Sequence, residues 1–466
     1  MIRAYLIYQG ADSMTYAEKL ADFVTKASYS DLSPSAVDAL KVRILDAIGC
    51  AIGAIGAEPL VAIAGQNEDF GGRGVCTTIG GPATSPDRAA FYNSALIRYL
   101  DFNDSYLAKG ETCHPSDNLG ALLAGAEYSG ADGKTLLTSL AAAYQVQCRL
   151  SDVAPVRAKG FDHTTQGSYA LAAGISKALG LDPGRTANAI AISGTAFNAL
   201  RVTRTGTLSN WKGLAYPNAA FCVTNAVFLA MRGITGPPEV FEGNKGFMDA
   251  IAGRFEIDWT KEDLERVTKT IVKRYNAEIH SQSILEGVLE LKREQGFAPE
   301  DIKAIEIQTF DVAYNIIGGG EEGDKHLVAI KEQADHSIPY LVAAAILDNE
   351  VMPAQFAPGR IQRSDIQALL KKVSVNPSQS YSSSFPEQMP CLIRVELKDG
   401  SVLVKEKKDY EGFHTKPMKW ETILEKFGRL SDGRIEASLR NDIIDSVGRL
   451  ESIKVKDLMS LLAKAG

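Results

Sequence analysis

Apolar residues recur every three or four positions through the first 270 residues of the chain. Val37, Leu40, Ile44 and Ile48 lie at helical spacing. Ser33-Pro34 opens that segment with a capping residue and then a proline at the first helical position, where its missing N–H costs nothing. The same period predicts helices over 87–104, 116–129, 133–150, 165–179, 183–199 and 215–231. Ala and Gly fill many of their packing positions, as in Ala89-Ala90 and Ala141–Ala143. These helices are therefore expected to approach closely in an α-bundle core.

The period changes after Lys273. Residues 303–310 alternate apolar and polar positions, the pattern of a half-buried strand. Residues 392–397 and 401–405 do the same around Lys398-Asp399-Gly400, which predicts a hairpin. A further strand is expected over 373–375, with helices at 279–293, 335–348 and 363–371 between. The helical pattern returns over 420–427, 434–447 and 454–464. The reading is a mainly α chain. A large all-α helical domain, 1–268 and 412–466, is interrupted by an inserted smaller α+β domain, 269–411. Residues 1–14 precede the helical pattern and read as an extension.

Composition narrows the function classes. The 466 residues are 45% hydrophobic and 23% charged, ordinary for a globular protein. A net charge of −7 disfavours nucleic acid or an anionic membrane as partner. No uninterrupted apolar run reaches the roughly 18–20 residues of a membrane span, and the start lacks a signal-peptide pattern, so a cytoplasmic protein is expected. The six cysteines (50, 76, 113, 148, 222 and 391) form no Cys-x-x-Cys pair, which suits a reducing compartment. Cys113, beside His114, is the one candidate for thiol reactivity.

The candidate chemistry gathers around six histidines. Asp101, Asp104, Ser105 and His114 fall within 14 residues. Asp101 ends a helical pattern, where the macrodipole disfavours an anion, and a second carboxylate is near. A raised pKa is expected there, with Asp101 as a proton carrier and Asp104 as a supporting carboxylate. His163 stands at a helix start in Gly160-Phe-Asp-His-Thr-Thr-Gln-Gly167. Arg201, Arg204 and Lys212 punctuate a loop rich in Thr, Gly and Ser, suited to carboxylates or phosphates. Glu278 and His280 fall at the expected domain junction. Asp335-His336-Ser337 reads as a structural helix cap. There is no P-loop, no dinucleotide fingerprint, no nucleophile elbow and no His-x-x-x-His, so no metal or cofactor is expected.

Loop histidines, a carboxylate pair and a cationic loop suit proton transfer on a small polyanion. Elimination of water from a hydroxy-polycarboxylate needs a base, charge stabilisation of the aci-carboxylate and an acid for the hydroxyl. Epimerisation of a small dicarboxylate needs only two proton carriers. A catalytically silent anion-binding helical protein would need none.

Several segments together resemble the MmgE/PrpD family. They are Asp101-Phe-Asn-Asp-Ser-Tyr-Leu-Ala-Lys109, His114-Pro-Ser-Asp-Asn-Leu-Gly120, Gly160-Phe-Asp-His163, the Lys212 loop, Tyr275-Asn-Ala-Glu-Ile-His280, Ala334-Asp-His-Ser-Ile-Pro-Tyr340 and Phe413-His-Thr-Lys-Pro-Met-Lys-Trp420. The resemblance implies a large all-α domain with a smaller α+β lid, usually a homodimer. It also implies cofactor-independent dehydration of a tricarboxylate, 2-methylcitrate to a methylaconitate, in propionate breakdown. The family includes cis-aconitate decarboxylase, whose site maps by resemblance onto Asp101, Ser105, His114, His163, Lys212 and His280. By that mapping Asp101, His114 and His163 transfer protons, Lys212 and His280 contact carboxylates, and Ser105 orients. Ser105-Tyr106 stands where many family dehydratases carry Thr-Trp, and Asn276 where proline is usual. Both departures are expected to adjust pocket shape.

Overall fold

The computed structural model describes residues 14–206 and 208–466. All of the expected extension except Met14 lies outside those residues. Helices dominate. Ser33 accepts a hydrogen bond from the Ala36 N–H and starts a helix over Pro34–Ala54. The other N-terminal helices span Tyr16–Lys26, Glu58–Phe70, Pro86–Tyr99, Leu119–Ser129, Gly133–Val153, Thr164–Ala178, Pro183–Ala196 and Trp211–Met231. Glu58–Phe70 has no counterpart in the sequence expectations. It buries only Leu60 and Ile63, too few positions to write a helical period. Trp211–Met231 is long and apolar enough to cross a membrane by composition, a stretch that counting uninterrupted apolar residues passed over. It packs against Pro86–Tyr99, Thr164–Ala178 and Pro183–Ala196, and just over half of its apolar window is buried in the fold.

Two small sheets accompany the helices. A two-stranded hairpin joins β1 (Tyr106–Ala108) to β2 (Glu111–Cys113). The larger sheet contains β3 (Ile302–Thr309), β4 (Val373–Pro377), β5 (Cys391–Leu397) and β6 (Val402–Lys407), in the order β4-β3-β5-β6. β3 pairs parallel to β4 and antiparallel to β5. The register places Val373 and Val395 on either side of Ile305, and Val375 and Ile393 on either side of Ile307. Those residues share one face, as period-two alternation requires. Helices Gln282–Gln295 and Ile338–Asp348 cover it.

The buried apolar residues form two main clusters. One joins the N-terminal helices to Trp420–Ser431, Ala437–Gly448 and Val455–Leu462, so the chain returns to its first core at the end. The other spans Ala277 to Val395 around the larger sheet. The functional candidates collect where these two bodies meet.

Candidate active site

The helix Pro86–Tyr99 ends earlier than its period suggests. Leu100 caps it and Asp101 turns into the left-handed region at φ 53°, so residues 101–104 leave the helix. Asp101 thereby swings back over its own helix end. Arg98 Nη1 lies 2.5 Å from Oδ1, and the Lys273 ammonium 2.9 Å from the same oxygen. Lys212 Nζ is 3.5 Å from Oδ2 and His336 Nε2 is 3.9 Å away. Burial pushes the Asp101 carboxyl up, but these cations outweigh it and hold the pKa well below the ordinary range. The raised pKa expected at this helix end does not occur. The macrodipole is a fraction of a charge, whereas Arg98, Lys273 and Lys212 each bring a full one. Asp101 is a fixed carboxylate that gathers cations.

Ser105 exchanges backbone hydrogen bonds with Ile271, at 2.9 and 2.8 Å, which brings Lys273 beside Asp101. Asn276 Nδ2 donates to the Leu100 carbonyl at 2.6 Å. A proline there has no side-chain donor, so Asn276 does more than adjust shape: it pins the residue before Asp101. Asp104 is fully buried, accepting from the Ser116 N–H at 3.0 Å and the Tyr144 hydroxyl at 2.7 Å. These bonds tie its carboxylate to the turn at Ser116 and to the helix Gly133–Val153.

His114 follows the hairpin β1–β2. Its Nδ1 lies 2.8 Å from the Asp104 carbonyl and 3.0 Å from Ser105 Oγ. A carbonyl only accepts, so Nδ1 carries the proton and Nε2 keeps a lone pair. Burial, then Arg98 and Lys273, lower the His114 pKa well below 6.5. His163 precedes the helix Thr164–Ala178, its ring 5.4 Å from that of His114 and stacked on Tyr216. Burial lowers its pKa to about 3, against the pull of Asp162. Neither of its buried ring nitrogens has a hydrogen-bond partner among the described residues, and Nε2 lies 3.8 Å from Asp162 Oδ1. Across the junction, His280 Nδ1 is 2.7 Å from Glu278 Oε1, and its Nε2 is likewise buried and unpartnered. Although burial raises the Glu278 carboxyl, His280 draws it down to about 2. Three unpartnered imidazole nitrogens on two histidines are costly to bury unless a ligand meets them.

A cavity of about 60 Å³ joins Asp101, His114, His163, Arg201, Arg204 and His280. Ser105 and Lys212 stand behind it, against His114 and Asp101. Lys212 lies in the first turn of Trp211–Met231, not in the preceding loop. Arg204 is paired with Asp162. Arg98, Lys273 and His336 also line the cavity, and none of them is among the site residues expected from sequence. Their signals were present but weak: Arg98 is three residues before Asp101, and Lys273 opens the Tyr275–His280 motif. His336 looked like part of a cap, and Ser337 does cap Ile338–Asp348, accepting from the Tyr340 N–H. Yet Asp335 Oδ1 and His336 Nδ1 lie 3.3 and 3.0 Å from Lys212 Nζ. Asp101, Asp335 and His336 are spaced for metal ligation, but the Lys212 ammonium contacts all three and a divalent cation would have to displace it. Cys113 is fully buried beside Cys148 and Ser151, away from solvent and unsuited to thiolate chemistry.

The chain is similar in sequence to known proteins. The MmgE/PrpD N-terminal domain matches residues 18–260 and the MmgE/PrpD C-terminal domain matches residues 275–451. The mitochondrial 2-methylcitrate dehydratase of Yarrowia lipolytica is 28% identical over 92% of this chain and 87% of its own length. The 2-methylcitrate dehydratase of Escherichia coli K12 is 28% identical over 82% of each chain. The cis-aconitate decarboxylase of Mus musculus is 23% identical over 96% of this chain and 93% of its own. With both domains matched in order across most of its length, the chain belongs to the MmgE/PrpD family.

Proposed function

We propose that this protein is a hydro-lyase that eliminates water from 2-methylcitrate to give 2-methylaconitate. One observation carries the reading: a neutral His114, its tautomer set by the Asp104 carbonyl, faces a buried cavity rich in cations and further imidazoles. His114 Nε2 is the base that takes the proton next to a carboxylate. Lys273, Lys212 and Arg98, gathered by Asp101, supply the positive field in which the aci-carboxylate forms. His163 is held neutral, so it offers one N–H and one lone pair. Its N–H donates to the leaving hydroxyl while its other nitrogen takes up the proton abstracted by His114, so water departs and both rings end neutral. His280, oriented by Glu278, presents Nε2 to the substrate. Dehydratase relatives that cover most of the chain support the substrate class.

An ultraviolet assay for the conjugated product tests this over 2-methylcitrate, citrate and isocitrate. A rise with 2-methylcitrate is expected, and no rise with any of the three overturns the reading. The mouse relative favours a second reading on the same residues, decarboxylation of cis-aconitate to itaconate. Release of CO₂ from cis-aconitate, without hydration, would select it.

We further propose a cytoplasmic homodimer. The buried or half-buried free cysteines suit a reducing compartment. Near the end of Trp211–Met231, Tyr128 packs on Phe228 and stays exposed together with Leu229, an apolar area suited to a second copy. Light scattering should give a dimer mass, and Leu229→Glu should lower it.

A further inference from the structure

The inner cavity is narrow, with about 60 Å³ of accessible space. A second pocket of about 640 Å³ adjoins it, within the size range of small-molecule sites. The two share one wall, made by Glu111, Thr112, Arg157, Arg201, Ile316 and Glu322. Three of those six residues form one ion-paired group. Glu322 Oε1 lies 3.6 Å from Arg157 Nη2 and 3.5 Å from Arg201 Nη2, a single oxygen between two guanidinium groups.

The partners come from opposite sides of the junction. Arg157 and Arg201 are fixed to the helical body. Arg157 N–H donates to Glu111 Oε2 at 3.1 Å and Arg201 N–H donates to the Gly160 carbonyl at 2.9 Å. Glu322 belongs to the segment that follows the turn Tyr314–Gly318, flanked by Gly319 and Gly323 at φ 107° and 86°. Both glycines tolerate backbone rotations closed to other residues. The pairing also differs in kind from the rest of the site. Arg98, Lys273, Lys212 and Arg204 are answered by the buried acids Asp101, Asp335 and Asp162, and Arg201 also lies 3.8 Å from Asp162. Among the described residues, Glu322 is the one carboxylate within ion-pair distance of Arg157, and it is reachable from solvent through the outer pocket. At 3.6 and 3.5 Å the two Glu322 contacts are long, and they face the outer pocket, so they are the ones a carboxylate arriving from outside meets first.

We propose that Glu322 is an internal carboxylate latch. It occupies the Arg157–Arg201 pair that receives a carboxylate of the substrate, and its displacement joins the outer pocket to the inner cavity. Arg157 is thereby a further substrate-binding residue. The latch rests on the tricarboxylate reading, so its test is kept separate from turnover. The probe is tricarballylate, a tricarboxylate with no hydroxyl to lose, titrated calorimetrically into the full-length protein. Removing the competing charge in Glu322→Gln should tighten binding about fivefold, and Arg157→Gln should weaken it by at least about fivefold. Amide hydrogen exchange over 319–330 should quicken in both variants, because each breaks the latch whatever the ligand. Unchanged exchange in both variants, no tightening in Glu322→Gln, or no tricarballylate binding by any form overturns the latch. If binding and exchange behave as expected while 2-methylcitrate is not turned over, the dehydratase reading fails and the latch stands.

Discussion

The two walls of the cleft are built differently. His114 and His163 sit on the helical body, neutral through burial, with His114 held by a backbone carbonyl. The opposite wall carries Lys273, Glu278–His280 and Lys331–Asp335–His336, where nearly every group is in an ion pair. In the proposed function one wall moves protons and the other manages charge. Asp101 links them, since Arg98 and Lys212 reach it from the helical body and Lys273 and His336 from the other. Docking of the two bodies therefore assembles the cationic field, while the proton carriers are organised within one body alone.

That contrast can be broken most severely at Lys273. Replacing it with Met removes a fully buried cation from Asp101, and breaking a buried pair costs about 3 kcal/mol, the low end of its range because Arg98 remains. Urea unfolding should show the loss. His114→Gln should lower kcat about 100-fold or more, about 2.7 kcal/mol in barrier, with the unfolding midpoint nearly kept. Near-full activity in both this variant and His163→Gln would remove the proton-transfer role from this wall.

Next in size is a pH effect. His163 has a folded pKa of about 3, against about 6.5 when unfolded. Between those values the unfolded chain binds a proton the folded one does not, so stability falls as pH drops below 6.5. One such group contributes up to about 1.4 kcal/mol per pH unit. His163→Gln should flatten the decline of the urea midpoint between pH 6.5 and 4.5 relative to wild type. An equal slope in both proteins would contradict burial of a neutral imidazole. The smallest effect belongs to Ser337→Ala, which removes the cap of Ile338–Asp348 on the charge-managing wall. About 1 kcal/mol of stability should go, with little change at the His114 wall.

Much of the helical body could be read from its period. The expected helices over 133–150, 165–179 and 183–199 overlap closely with Gly133–Val153, Thr164–Ala178 and Pro183–Ala196. The strands around Lys398-Asp399-Gly400 also fall where alternation placed them. Short elements escaped. The strands of the hairpin β1–β2 are three residues each, too short to display alternation. The helix expected over 87–104 ran past its end because Leu100, Asp101 and Phe102 continue a plausible pattern, while the left-handed turn at Asp101 leaves no periodic trace. Asp335-His336 was legible as a cap and not as a site wall, because its partner Lys212 is more than 120 residues away.

Residue types and local spacing determined which segments are helical, which alternate, and which loops concentrate histidine and charge. Those are short-range properties, written in propensity and period. Tertiary structure alone decided that Arg98, Lys212 and Lys273 surround Asp101 and lower its pKa, that burial lowers those of His114 and His163, and that Glu322 faces Arg157 and Arg201. Each of those outcomes depends on burial and on charges brought together from distant segments, and Coulomb interactions act through space irrespective of position along the chain.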